Sequence, residues 1–180
     1  MTRKNVPAVL IAITSLSVLA GMALAAQDKS TLKAPNEIAF SEFEGYDAWQ
    51  DVAVSATDHG IKAILGNPAM IDAYKAGIPA NGKPFPDGVQ IVMIEWIKKQ
   101  NTAASYVVGV PDTLKSVSFM EKDSKRFPET SGWGFAQFLY NSASQTFSPY
   151  GTDTFAKKIC YDCHMHAKET DYIFTNYPPR

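Results

Sequence analysis

Cys160-Tyr161-Asp162-Cys163-His164 is the stretch whose residue types and spacing define a chemistry most sharply. Two thiols three positions apart, with a histidine directly after the second, form the attachment pattern of a c-type haem. Each thiol adds to one haem vinyl group as a thioether, and the adjacent imidazole coordinates the iron. On a helix, positions i, i+3 and i+4 share one face, so Cys160, Cys163 and His164 can all point at one porphyrin. The flanks suit a helix: Phe155 to Lys168 contains no Gly or Pro, and Thr152 or Asp153 is the N-cap candidate. A structural zinc site needs four ligands, whereas the sequence has no further cysteine and only His59 and His166 as other histidines. A thioredoxin-like pair opens a helix after a strand, near a βαβ pattern; this pair lies well inside a helical stretch. His166 is about 200° round the helix from His164 and points away from the iron. His59 sits in a polar turn, Thr57-Asp58-His59-Gly60, and is expected to face solvent.

Haem attachment of this type follows export, and the N-terminus has the form of an export signal. Arg3 and Lys4 make a charged start, Val6 to Leu19 is mostly apolar, and Ala23-Leu24-Ala25 meets the small-residue cleavage rule. The uncharged stretch is long enough for an uncleaved anchor, but the small-residue end and the polar Gln27-Asp28-Lys29-Ser30 favour cleavage. Residues 1–25 are therefore read as a signal peptide and residues 26–180 as one haem domain in the periplasm. Removing Arg3 and Lys4 from the 17 basic residues leaves 15 against 18 acidic ones, with no cluster suited to nucleic acid or an anionic membrane. Both cysteines belong to the haem motif, so stability must come from the core, and an aromatic content of 12% supplies its bulk.

The elements that must position the motif are mostly strands. Gln27 to Asn36 reads as an exposed lead-in, and Ser41 with Glu44 as a capping box opening a short helix through Tyr46 and Trp49. Val52 to Ser55 and Gly60 to Leu65 are strand-like. Asn67 as N-cap, Pro68 at the first helical position and Gly77 just past the end predict a helix. Turns dominate from Pro79 to Gly88. Val89 to Ile97 is nearly continuously apolar, as in a strand buried on both faces. Lys98 to Ser105 is read as turning the chain, followed by strands at Tyr106 to Val110, Val117 to Met120 and Trp133 to Tyr140, with Glu121 to Phe127 a charged segment. One good helix and several β runs exclude the four-helix cytochromes c′. The small class I cytochromes c carry the motif near the N-terminus, the reverse of the order here. The expected fold is α+β: an antiparallel sheet with a few helices, the haem hanging from the C-terminal one.

With these runs in place, the sequence resembles the cytochrome P460 family, which includes the β-sheet cytochromes c′. The resemblance covers most of the mature chain. In order it takes in Tyr46-Asp47-Ala48-Trp49, Ile61-Lys62, Asn67-Pro68, Tyr74, Phe85-x-Asp87-Gly88 and Lys122-Asp123-Ser124-Lys125-Arg126-Phe127. Gly132-Trp133-Gly134-Phe135, the haem motif and Thr170-Asp171-x-x-Phe174-Thr175 follow. It implies an antiparallel sheet, a homodimer, and one five-coordinate haem c with His164 below the iron and an open side above. Some members oxidise hydroxylamine, using a haem cross-linked to a lysine and an acidic pocket residue; others lack the cross-link and bind nitric oxide or carbon monoxide.

At the positions that divide the two groups this chain departs. The family's cross-linking lysine falls at Met93, its pocket glutamate at Ser118 and its distal arginine at Lys62. Lys98 has the wrong strand parity to substitute, and Lys99 lies about 20 Å further along an extended strand. Glu121 is three residues from Ser118 and faces the other side. Met93 is a core methionine, a pocket residue or, last, an iron ligand. Lys62 is a solvated strand lysine or a pocket cation. Ser118 and Phe119 alternate faces, so one of the two lines the pocket. Trp133, Phe135 and Phe138 are packing residues. The expected function is binding of a small diatomic or N-oxide ligand at an open haem iron. The alternatives are a hydroxylamine-oxidising enzyme, which needs a base near the iron, and a carrier exchanging electrons with a periplasmic partner, which needs a second axial ligand.

Overall fold

The computed structural model describes residues 27–103, 105–152 and 154–179. Residues 1–25, read from the sequence as a signal peptide, and the N-cap candidate Asp153 lie outside them. The fold is α+β, as expected: one six-stranded sheet whose spatial order is the sequence order. Its strands are β1 (Gln50–Ala56), β2 (Gly60–Gly66), β3 (Gln90–Asn101), β4 (Val108–Lys122), β5 (Trp133–Asn141) and β6 (Thr146–Pro149). Every neighbouring pair is antiparallel.

Helix α1 (Pro68–Lys75) forms where its local signals place it. The Asn67 side chain accepts the Met70 amide at 3.0 Å, and Gly77 takes φ +85° just past the helix. Asn67 Oδ1 also accepts the Gln90 amide at 3.2 Å, which ties the helix start to β3. Met70, Ile71 and Ala73 are its buried residues.

The period of two along the strands splits the apolar residues into two cores. On one face Val92, Val117, Phe119, Ala136 and Phe138 are covered by the N-terminal segment through Ala34, Ile38, Phe40 and Phe43. On the other, Ile64, Ile91, Met120 and Phe135 are covered by α1 and the C-terminal segment through Met70, Ile71, Tyr172 and Ile173. The lead-in is thus less exposed than its polar sequence suggests: Ala34 is buried.

Several boundaries differ from the sequence reading. The helix expected through Tyr46 and Trp49 is two short 3₁₀ turns, Phe40–Phe43 and Tyr46–Ala48, with Gly45 at φ +76° between them. The carboxylate that caps the first is Glu42, which accepts the Ala39 amide at 2.7 Å; Ser41 and Glu44 form no such box. Lys98 to Asn101 continue β3; of the run read at Tyr106–Val110 only Val108 to Val110 are strand, and they are joined with Val117–Met120 in one long β4, Tyr106 and Val107 lying before it. Lys98 to Asn101 pair with Val108 to Pro111, so β3 and β4 run on as a two-stranded ribbon past the end of β2 at Ile97. Glu121 and Lys122, read as part of a charged segment, are strand residues and buried. Strand β6 was not anticipated. Its outer edge is closed by Gln27, whose side-chain amide donates to the Phe147 carbonyl at 2.8 Å and accepts the Phe147 amide at 2.6 Å.

Candidate haem site

The register of the sheet sets the floor of the site. Ile64 pairs with Met93, Met93 with Ser118 and Ser118 with Gln137, which gives one cross-strand row. A parallel row two residues along runs Ile91–Met120–Phe135. Both rows line a cavity of about 500 Å³ between the sheet and the C-terminal helix, within the ordinary range for a small-molecule or cofactor site.

The C-terminal helix is built from three contiguous pieces. Ala156–Tyr161 is wound as a π-helix, Asp162–His164 as α and Met165–Thr170 as 3₁₀. Wide turns of this kind occur mostly at functional sites. The Thr152 side chain forms no cap; its carbonyl accepts the Phe155 amide at 2.8 Å. Cys160, Cys163 and His164 all border the cavity, so the shared face expected from their spacing is present. Cys160 is half-buried and Cys163 exposed. Burial, with a smaller contribution from Cys163, pushes the Cys160 thiol up to about 11.

His164 is oriented by its surroundings. Its ring lies 5.0 Å from Phe135 and 4.9 Å from Phe174. Nδ1 is 2.6 Å from the Tyr172 carbonyl, which can only accept, so Nδ1 carries the proton and donates. Nε2 is left with its lone pair for a metal, as in metal-ligating histidines whose other nitrogen is held by a carbonyl. Burial lowers the imidazole below its usual pKa, against the opposing pull of the Tyr172 carbonyl, and favours the neutral form that ligates.

Of the distal candidates, Lys62, Met93 and Ser118 border the cavity. Phe119 is corrected: it touches the cavity's edge, but its ring stacks on Phe43 at 4.1 Å on the opposite face of the sheet. The choice left open between Ser118 and Phe119 thus falls to Ser118. The residues set aside stay apart from the site. Glu121 pairs with Arg126 at 2.6 Å, Lys99 with Asp112, and Lys98 donates to the Thr57 carbonyl. His59 and His166 are exposed.

Two polar residues near the site were missed. Gln137 lines the cavity opposite Ser118, a placement that only the β4–β5 register reveals. Glu95 is two residues from Met93, so strand parity alone puts it on the cavity face. It stands opposite Lys62 in the register, its carboxylate held by Lys115 at 3.1 Å and by Ser116 at 3.4 Å.

Two thiols and an oriented imidazole on one wall, facing an apolar floor of porphyrin-compatible size, fit a c-type haem: Cys160 and Cys163 would carry the thioethers and His164 Nε2 would hold the iron. The site is that of a haem cytochrome. Residues 43–175 match the family model for cytochrome P460, and the chain belongs to that family. No curated protein matches the chain.

Proposed function

We propose that this chain carries one haem, joined covalently at Cys160 and Cys163 with His164 as axial ligand, and that it binds a small neutral molecule such as nitric oxide. The haem, when bound, supplies an iron with a free coordination position. The observation that carries the reading is the sheet side of the cavity. It presents Ile64, Met93, Ser118 and Gln137, and among the described residues Lys62 is the only ionisable sheet residue lining it. Ile64, Met93, Ser118 and Gln137 offer no carboxylate or imidazole base to a substrate. The polarity of the distal side decides between binding a ligand and activating it.

Glu95, paired in the register with the cavity residue Lys62, is the carboxylate that favours an enzymatic second reading, hydroxylamine oxidation with Glu95 taking the proton. Its oxygens are already engaged by Lys115 and Ser116, and it does not line the cavity. Carbon monoxide titration of the ferrous protein tests the first reading: saturable conversion to a new spectrum supports it, and a spectrum unchanged by the gas overturns it. Turnover of hydroxylamine with an artificial electron acceptor would instead favour the second. The same proposal has residues 1–25 removed on export and the mature protein working in the periplasm as a homodimer, with a periplasmic electron-transfer partner belonging to the alternative reading as a carrier.

A further inference from the structure

At the end of β4, two residues beyond Met120 and so on the same face of the sheet as the cavity floor, lies a buried ammonium. Lys122 and Asp171 are 7% and 10% exposed at their side chains. Lys122 Nζ donates to both Asp171 carboxylate oxygens at 3.0 Å and to the Ser131 carbonyl at 3.0 Å, and it stands 4.8 Å from the Trp133 ring centroid. Asp171 Oδ2 also accepts the Phe85 amide at 2.7 Å.

The backbone around this ammonium is unusual. Ser131, Asp171 and Tyr172 have φ of 56°, 49° and 68°, three of the five non-glycine residues with positive φ among the described residues. A bulky residue such as Tyr172 in this region is an outlier, and such a conformation persists only where the surroundings over-determine it. Two successive left-handed residues, Asp171 and Tyr172, turn the chain back on the helix. That turn brings the Tyr172 carbonyl to His164 Nδ1 eight positions earlier. A second tie reinforces it: Ser131 Oγ lies 2.7 Å from the Tyr172 hydroxyl and 2.8 Å from that of Tyr161, the residue between the cysteines' flanks.

We infer that Lys122 and Asp171 are positioning residues for His164: their buried ion pair holds the Asp171–Tyr172 turn, and the turn fixes the tautomer and the ring orientation of the imidazole. In the haem-bearing protein the same strap sets how strongly Nδ1–H is held, hence the electron donation of Nε2 to iron; that extension rests on the function proposed above. It gives a physical role to Lys122 and to Asp171, which are otherwise remote from the chemistry.

The test uses the double variant Lys122→Met/Asp171→Asn, which leaves no unpaired buried charge, keeps an acceptor for the Phe85 amide and places at 171 a residue that tolerates positive φ. Long-range proton–nitrogen NMR of the haem-free full chain reads the His164 tautomer. The expected result is a single Nδ1–H form in the parent and a tautomer mixture in the variant. Resonance Raman of the ferrous haem protein reads the iron–imidazole stretch, expected to fall in frequency in the variant together with a rise in reduction potential. A variant that keeps the parental tautomer and the parental stretch overturns the inference, however much stability it loses. Should the parent carry no haem, the proposed function fails, while the tautomer measurement still decides this one. Should the double variant not fold, Lys122→Arg, which keeps the buried charge paired but changes the geometry of the donor, is put through both measurements.

Discussion

Phe119→Ala, set beside Ser118→Leu, separates the two faces of the sheet in a single experiment. Phe119 is 1% exposed, stacked on Phe43 at 4.1 Å and edge-on to Phe40 at 5.1 Å. Truncating a core phenylalanine costs ~3–5 kcal/mol, and losing aromatic pairs worth ~0.5–1.5 kcal/mol each puts this site at the upper end. At ~2–4 °C per kcal/mol for a domain of this size, the melting temperature should fall by ~8–20 °C. Its ring packs on the opposite face and only the edge of the cavity meets residue 119, so carbon monoxide affinity should stay within about twofold. Ser118→Leu does the opposite. It adds apolar bulk to the cavity floor, where a steric penalty of ~1.5 kcal/mol against the bound ligand lowers affinity roughly tenfold. Its melting temperature should hardly move. Thermal unfolding by circular dichroism and carbon monoxide binding by flash photolysis give both quantities on the same samples. If Phe119→Ala disturbs ligand binding more than Ser118→Leu does, the assignment of faces is wrong, and with it the floor of the site.

Two further outcomes follow from buried charge. Burial raises the Glu121 carboxyl from 4.5 to about 7; Arg126 opposes this, while Glu42 and Asp123 add to it. Arg126 does not cancel the shift because it also binds Glu42 at 2.7 Å. The folded chain therefore holds this proton at pH values where the unfolded chain has released it, and stability falls as pH rises from about 4.5 through 7. Glu121→Gln should flatten that part of the melting-temperature profile; an unchanged slope between pH 5 and 8 would count against it. Lys122→Met leaves the Asp171 carboxylate buried without its cation and should cost ~3–5 kcal/mol in denaturant unfolding. Adding Asp171→Asn should recover most of this loss, and a double variant no more stable than the single one would refute the reasoning.

How much of this could be read beforehand depended on how local the signal was. Helix α1 was legible because Asn67, Pro68 and Gly77 act within a few residues of themselves. The haem motif was legible for the same reason, since its spacing is short. Strand β4 was read as two pieces because Pro111 and Asp112 interrupt its apolar pattern. Pro111 pairs with Lys98 in the ribbon, where β5 does not reach and one edge of β4 carries no ladder, so the missing amide costs nothing. Four residues with one buried side chain, Phe147, were too little to announce β6. In the site, the family resemblance put Met93 and Ser118 on candidate positions, but which of Ser118 and Phe119 faced the helix depended on what covered each face. That is a long-range fact: Phe43, whose ring covers Phe119, is far from it in sequence.

The strand order carries a consequence for assembly. Each strand of the sheet pairs with the strands made just before and just after it, so no pairing waits for a distant segment and the loop-closure cost of each step is small. Cys160, Cys163 and His164 come after the last strand. A chain emerging from its N-terminus can complete the sheet while these residues are still free, and the thiols remain open to chemistry until the helix docks. The pocket can then be closed last, by the segment that holds Cys160, Cys163 and His164.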